Sequence, residues 1–114
     1  MSLDIPPGDD PEIVVFRAWR SGDHDVIAIF PTMAADYTGN LCGCFEHTGE
    51  HSAAWPWGIM QQTRPAQPNA YAELKHELEQ RGYVLDVRKR ITCEMQSKRQ
   101  RQARKWAEEA KVSG

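Results

Sequence analysis

The stretch IVVFRAWRSGDHDVIAIF, residues 13–30, decides the fold. Residues 13–19 are β-branched and aromatic, and the segment is too short before the next turn to be a helix. Residues 21–24 are typical of a turn, and residues 25–30 return as a second strand. The sequence therefore predicts a β-hairpin. Because residues 26–30 show no polar alternation, we expect the second strand to lie at the centre of a sheet, covered on both faces.

A third strand is predicted after the hairpin. Pro31 is expected to end the second strand, because proline cannot donate a hydrogen bond to the ladder. Residues 41–47 then alternate in a way that places Cys42, Cys44 and Glu46 on one face of a strand.

The clearest helix is predicted at residues 68–81. Pro68 suits the first helical position, and Gly82 suits the left-handed position that follows a helix end. An apolar stripe with i, i+3, i+7 spacing begins at Tyr71. Residues 83–88 alternate again and predict a last strand at the sheet edge.

Two further helices complete the prediction. Pro56 allows a short helix to begin but not to pass through it, and residues 59–63 are where we place that helix. Thr92 can cap a helix that runs to about residue 110. Its apolar stripe is sparse, so it needs a surface to lie on. We expect it either to extend from the domain or to dock on a second copy.

The predicted fold class is therefore α+β. We expect a small antiparallel sheet of about four strands in the order β-β-β-α-β, one main helix on a face, and a basic C-terminal helix. Residues 1–11 are expected to be a flexible lead, residues 12–91 the α+β domain, and residues 92–114 the basic C-terminal helix or tail.

The composition limits the class of protein. The 114 residues suit one domain with a single core, and 40% hydrophobic and 26% charged residues are ordinary for a globular protein. No apolar run approaches the roughly 20 residues that a membrane-spanning helix needs. The first ten residues lack the pattern of a signal peptide, and three cysteines fit reduced thiols. We therefore expect a cytoplasmic protein with no membrane contact.

The net charge of −2 hides an uneven distribution. Residues 1–82 hold 5 basic and 12 acidic residues, a balance of −7, and residues 83–114 hold 9 basic and 4 acidic residues, a balance of +5. Eight cations of the tail are candidate nucleic-acid contacts: Arg88, Lys89, Arg90, Lys98, Arg99, Arg101, Arg104 and Lys105. They fall around the whole helix, which is also typical of a solvated or partner-docking helix. The acidic body would repel DNA or RNA.

The segment from Cys42 to His51 is densest in polar chemistry. His47, Glu50 and His51 form a candidate polar or ligand site, since imidazoles serve acid–base chemistry and anion binding. Cys42, Cys44, His47 and His51 are a candidate zinc site, although their spacing differs from the usual ligand pairs. The alternative is two buried cysteines packed as hydrophobes and two turn histidines. Without a convincing nucleophile, a hydrolase triad is not supported, and we expect no other cofactor.

Three tryptophans are candidate protein-interface residues: Trp55, Trp57 and Trp106. Tryptophan is enriched at the energetic centres of interfaces. Of the two tryptophans that flank Pro56, we expect one to pack in the core. An exposed remainder would indicate dimerisation or peptide binding.

Several short motifs stand at specific spacings between residues 15 and 90. They are VIAIFP at 26–31, CGCFEHTG at 42–49 with His51, TRPA at 63–66, YAEL at 71–74, EL at 77–78 and GYVL at 82–85. In these motifs the chain resembles a family of small, uncharacterised bacterial proteins often encoded on phage-like or other mobile elements. The chain carries Glu50 and Ser52 where that family typically carries glutamine and glycine. The resemblance implies a mobile-element origin and no known activity.

The leading expectation is a small non-enzymatic accessory protein that acts by protein–protein contact, including self-association. Nucleic-acid binding through the basic C-terminal segment is the first alternative. An enzyme or metal site at residues 42–51 is the second.

Overall fold

The structure is a computed structural model, and it describes residues 11–20, 25–46 and 51–113. For residues 51, 52, 112 and 113 it describes the backbone alone. Residues 1–10 of the predicted lead and the predicted hairpin turn at residues 21–24 lie outside the described residues.

The fold is α+β, as predicted: a mostly antiparallel sheet with three helices, the last of them long. The strands are β1 Glu12–Trp19, β2 Val26–Ala34, β3 Cys42–Glu46, β4 His51–Ala54, β5 Thr63–Pro65 and β6 Leu85–Arg88. The helices are α1 Pro56–Gln62, α2 Pro68–Gln80 and α3 Cys93–Ser113.

The sheet is built outward from the predicted hairpin. β1 and β2 pair antiparallel, with Val15 opposite Ile29, and the strand order is β4-β3-β2-β1-β5. The second edge of β1 is shared, since β5 pairs with its end and β6 pairs with its start. β6 runs parallel to β1, because α2 carries the chain across before it returns to that edge. The described sheet thus has six strands where the sequence indicated about four.

The expectation that Pro31 ends the second strand is wrong. β2 continues to Ala34, and its register with β3 shifts between Phe30 and Ala34. Pro31 therefore lies beside an irregular part of the ladder, which is where a sheet tolerates a residue that cannot donate.

The sheet buries both of its faces, as the apolar run in β2 predicted. One face of the sheet packs against Leu74 and Leu78 of α2. The sheet contributes Val14, Phe16, Val26, Ala28, Phe30 and Phe45 to this cluster. The other face contains Ile27, Ile29, Cys42, Cys44 and Ala54, with Trp19, Ile59, Met60 and Ile91 packed against it. The predicted division of β3 is confirmed, since its two cysteines lie on the face opposite to Phe45.

The main helix α2 begins and ends as the sequence indicated. Pro68 occupies the first turn, and Gly82 has a φ of +102°. The Tyr83 N–H donates to the Leu78 carbonyl over 3.2 Å, which is the bond that completes a Schellman ending. The short helix α1 begins at Pro56 itself, three residues earlier than predicted, and ends where Thr63 turns extended.

The C-terminal helix α3 docks on its own domain. Thr92 caps it as predicted, since its hydroxyl accepts from the Met95 N–H over 3.2 Å. The buried side of the helix carries Met95, Arg99 and Ala103 at i, i+4, i+8 spacing. α3 contacts β2 and the loop that follows it, residues 35–41. The expectation that this helix extends from the domain or docks on a second copy is therefore wrong, and Arg99 is part of the docked face.

Candidate functional site

The cysteines of the Cys/His segment are core residues. Cys42 and Cys44 are 0% and 1% exposed, and burial raises the pKa of the Cys42 thiol to about 12. Among the described residues, no three metal-binding side chains come together.

The histidines of that segment are largely outside the described part of the chain. His47 and Glu50 fall within residues 47–50, which are not described. The backbone of His51 starts β4, opposite Phe45. The acid–base site and the zinc site at residues 42–51 therefore stay predictions.

Two of the three predicted interface tryptophans, Trp55 and Trp57, are exposed at the start of α1, so the expectation that one of them packs in the core is wrong. Trp55 is 57% exposed and Trp57 is 56% exposed. Trp55 is the residue before the helix, and its carbonyl accepts from the Ile59 N–H over 3.1 Å. A Cβ on Gly58 would lie 3.1 Å from the Trp55 ring, so the ring lies across this glycine. Gly58 thus allows the Trp55 ring to rest on the helix with most of its area facing solvent.

Trp57 lines a small cleft of about 70 Å³ together with Pro56, Met60, Ile91 and Gln96. The lining is mostly apolar, and it joins the residues that pack on the second face of the sheet. We call Trp55, Pro56, Trp57, Met60 and Ile91 the tryptophan surface. The sequence analysis identified the two tryptophans of this surface. It could not identify Ile91, because Ile91 is distant in the chain and reaches the surface only in the folded protein.

The sheet edge at β4 leads directly into the tryptophan surface. β4 lies at one end of the strand order and pairs with β3, with Ala53 opposite Gly43. Within the described residues, no strand pairs with the other side of β4. In general, a strand at the edge of a sheet presents main-chain groups with which another strand can pair.

Two arginines that the sequence reading missed hold α1 in place. Arg17 is 7% exposed, and its guanidinium donates to the Thr63 hydroxyl, the Thr63 carbonyl and the Met60 carbonyl over 2.9, 2.8 and 3.2 Å. Arg20 donates to the same Thr63 carbonyl over 3.1 Å. Cations at the last carbonyls of a helix are favourable. Burial, and secondarily the charge of Arg20, lowers the pKa of Arg17. The sequence signal for the burial of Arg17 is its position within the apolar strand at residues 13–19.

The eight predicted nucleic-acid contacts differ in exposure and in their hydrogen-bond partners. Arg99 is 2% exposed and donates to the carbonyls of Gly39 and Pro31 over 2.7 and 2.9 Å, so it cannot reach a phosphate in this fold. Arg88 is exposed and forms two 2.9 Å hydrogen bonds to Asp86. The remaining six are exposed: Lys89, Arg90, Lys98, Arg101, Arg104 and Lys105.

Trp106, the third predicted interface residue, lies away from the other two in the chain and in a different groove. It is 38% exposed and lines a groove of about 530 Å³ with Tyr37, which is 62% exposed. Asp36 and Glu109 also line this groove. Sequence reasoning missed Tyr37 and Asp36, since nothing local connects residue 37 with residue 106.

Comparison of the chain with protein-family models, with curated proteins and with solved structures gives no match. Among the described residues, no helix is both long and apolar enough to cross a membrane. Function is therefore inferred from the exposed surfaces themselves.

Proposed function

We propose that this protein is a non-enzymatic accessory protein that acts by protein–protein contact, and that the partner at the tryptophan surface is a second copy of the chain. The observation that carries the proposal is that Trp55 and Trp57, two positions apart at the start of α1, are each more than half exposed on a helix that two arginines hold in place. Large aromatic side chains that are exposed but fixed are typical of interface anchors. They contribute contact area at a low cost in conformational entropy.

The adjoining strand supports a second copy as the partner. An identical β4 can pair with β4 in antiparallel orientation, which places a two-fold axis at the edge of the sheet. Because Trp55 follows β4 directly, the same axis brings the tryptophan surfaces of both copies to the interface. The result is one continuous sheet across two protomers, with main-chain hydrogen bonds that set the register.

The exposed area is of the right order for such an interface. A buried aromatic side chain contributes roughly 150–250 Å². Two tryptophans that are each a little over half exposed therefore offer roughly 200–300 Å² per copy. A standard interface buries about 800 Å² per partner, so the two rings would supply about a third of it. The strand edge and the rest of the tryptophan surface would supply the remainder.

The accessory role rests on the sequence. The motifs between residues 15 and 90 resemble small proteins of phage-like and other mobile elements, and we propose the same origin here. Contact with partner proteins is a common task of small accessory proteins, and the exposed tryptophans are consistent with it.

Light scattering on the full chain tests this proposal. The wild-type chain of 13.0 kDa is expected to reach the mass of a dimer at about 100 μM. The double variant Trp55→Ala with Trp57→Ala is expected to remain a monomer, and Tyr37→Ala, which removes an equally exposed aromatic ring elsewhere, to remain a dimer. A wild-type monomer at every concentration, or a Tyr37 variant as weakened as the double variant, would contradict it. Deletion of residues 92–114 is a poorer test, because it removes the buried Arg99 and Ala103.

Nucleic-acid binding is the second candidate, and the exposure of four cations along α3 favours it. Lys98, Arg101, Arg104 and Lys105 lie outside the docked face of the helix. Glu94 and Glu108 are exposed on the same side of the helix, and the body of the protein is acidic. Because these negative charges repel phosphates, we rank nucleic-acid binding below protein contact.

Retention on double-stranded DNA tests this alternative. Binding through these cations would weaken steeply between 50 and 200 mM salt, as counterion release requires. The triple variant with glutamine at positions 101, 104 and 105 would abolish it. Glutamine at Arg64, an exposed cation far from α3 in the chain, is the matched control and would leave retention unchanged. Wild-type protein that is not retained even at 50 mM salt would remove this candidate.

A further inference from the structure

Two exposed aromatic rings line a groove between the β2–β3 loop and the last turns of α3. Tyr37 lines it from the loop and Trp106 lines it from the helix. The volume of the groove is about 530 Å³, within the roughly 300–1,000 Å³ of typical binding sites. Its described lining shares no residue with the tryptophan surface, so the groove is a separate feature.

The carboxylates of the groove already have partners within the protein. Asp36 accepts from the Thr38 hydroxyl and from the N–H groups of Gly39 and Leu41 over 3.0 and 3.3 Å. Glu109 is not without a partner either. A ligand is therefore not required to balance their charge. The two aromatic rings are the part of the groove that offers apolar area to a ligand.

The chain enters β1 beside the helix that carries Trp106. Glu12, the first residue of β1, accepts from the Thr32 hydroxyl over 3.1 Å. Burial raises the pKa of Glu12, and this hydrogen bond and the nearby charge of Lys98 on α3 oppose that shift. Trp106 lies eight residues further along α3, which is about 12 Å at the rise of a helix.

The pairing of β1 with β2 gives the direction from which the chain arrives. The two strands are antiparallel, so each step back along β1 is a step forward along β2. The chain that precedes Glu12 therefore comes from the side of the sheet where β2 ends at Ala34 and the loop with Tyr37 begins. Five residues of polyproline II span about 16 Å, so residue 7 can reach the groove from Glu12.

The sequence at that distance suits an aromatic groove. Residues 5–8 are Ile-Pro-Pro-Gly and carry no charge. Proline-rich segments bind in grooves lined by aromatic side chains, and because their conformation is preformed they lose little entropy on binding. We propose that residues 5–8 bind in the groove of their own molecule, with Pro6 and Pro7 against the rings of Tyr37 and Trp106.

The charges of the chain agree with this placement. Asp9 and Asp10 stand between the uncharged residues and Glu12. They would lie along the side of α3 that carries the exposed Lys98 and, two turns later, the exposed Lys105. Opposite charges attract there, whereas the uncharged residues 5–8 bring no carboxylate next to those of the groove.

Nuclear Overhauser measurements on the full chain test the proposal. Ring protons of Pro6 and Pro7 are expected to give signals to the ring protons of Tyr37 and Trp106. The backbone order parameter of the Ile5 amide is expected to be about 0.8, the value of a fixed backbone. A wild-type chain without these signals, or with an Ile5 order parameter below about 0.6, would overturn the proposal. In a mixture of ¹³C-labelled and unlabelled chains, the same signals between chains would overturn it as well, because they would place the segment on another copy.

Proline substitutions separate the groove from a general effect of the N-terminal residues. The double variant Pro6→Ala with Pro7→Ala is expected to shift the indole N–H of Trp106 and the amides of residues 35–37. It is also expected to lower the Ile5 order parameter below about 0.6. Pro11→Ala is the matched control, since Pro11 is exposed and lies beside Glu12, away from the groove. Shifts at Trp106 as large in the control as in the double variant would overturn the site.

Discussion

Arg99 shows how a charged residue can serve as a core residue. Its guanidinium is almost fully buried and donates to two carbonyls, one in β2 and one in the loop that follows. The Pro31 carbonyl lies where the register between β2 and β3 shifts, and the Gly39 carbonyl lies in the loop that joins these two strands. A long side chain with several N–H groups can satisfy both at once, which an apolar residue cannot do. The docking of α3 thus depends on one hydrogen-bonding residue in its apolar stripe.

We expect Arg99→Ala to lower the free energy of unfolding by about 3 kcal/mol, because two buried carbonyls lose their donors and a cavity opens. Arg101→Ala removes the same charge from the exposed side of the same helix. It is expected to change the free energy of unfolding by less than about 0.5 kcal/mol. Urea unfolding measures both. Equal losses in the two variants would mean that Arg99 contributes only its charge.

The three cysteines are expected to differ in reactivity. Cys93 is exposed, whereas Cys42 and Cys44 are buried. A thiol reagent at pH 8 is therefore expected to modify one cysteine per chain quickly and all three only after unfolding. Three fast thiols in the folded protein would contradict the placement of β3 in the core.

The raised pKa of Cys42 leads us to expect a loss of stability at alkaline pH. Burial raises its pKa from 9.0 to about 12 in the folded state, so the unfolded chain loses this proton first as the pH rises. The contribution of the buried Cys42 thiol to the free energy of unfolding is therefore fully present below about pH 9 and decreases from there toward pH 12. Urea midpoints between pH 8 and 11 measure it, and Cys42→Ala is expected to show a smaller decrease over that range than the wild-type chain. An identical decrease in both would contradict the assignment.

Two glycines outside the helices and strands have different roles. Gly82 and Gly39 both have positive φ, at +102° and +78°. A Cβ on Gly82 would meet nothing within 4 Å, whereas a Cβ on Gly39 would lie 2.9 Å from the Gln100 Cα of α3. Gly82 is thus required only by the backbone conformation after α2. Gly39 is required by the close approach of a helix as well.

We expect Gly82→Ala to cost about 1 kcal/mol of unfolding free energy, from backbone strain alone. Gly39→Ala is expected to cost about 3 kcal/mol, because the strain is joined by a clash that displaces α3. Urea unfolding compares the two variants. A loss in Gly39→Ala no larger than in Gly82→Ala would show that α3 does not rest on this loop.

Elements whose signals are local could be predicted from the sequence, and elements set by distant partners could not. The β1–β2 hairpin and α2 were predicted because their periodicity and end residues are encoded within each segment. β4 and β5 are too short to show a pattern, and they are strands because β3 and β1 pair with them. The parallel direction of β6 likewise follows from the crossover through α2.

The same distinction applies to the candidate sites. The tryptophans at positions 55, 57 and 106 stand out in the sequence, and all three are exposed. The groove beside Trp106 could not be predicted, because it forms only when α3 docks against the loop that carries Tyr37. The burial of Arg99 was also beyond prediction, since an arginine in a polar helix indicates exposure.

At the scale of the whole molecule, the exposed aromatic residues form two separate surfaces. The tryptophan surface is apolar and adjoins a strand edge, and we assign it to a second copy. The groove beside Trp106 is lined by Tyr37, Asp36 and Glu109. The two surfaces share no residue, so a dimer formed at the first would not cover the groove.

The most direct test is an isotope-filtered nuclear Overhauser measurement on a mixture of ¹³C-labelled and unlabelled chains at about 0.5 mM. Contact between copies at β4 and the tryptophan surface predicts inter-chain signals from the Ala53 methyl group and the Trp55 ring. Those signals are expected to vanish in the double alanine variant at positions 55 and 57. A wild-type sample that shows no inter-chain signal at these residues, with a scattering mass of 13.0 kDa, would contradict the account.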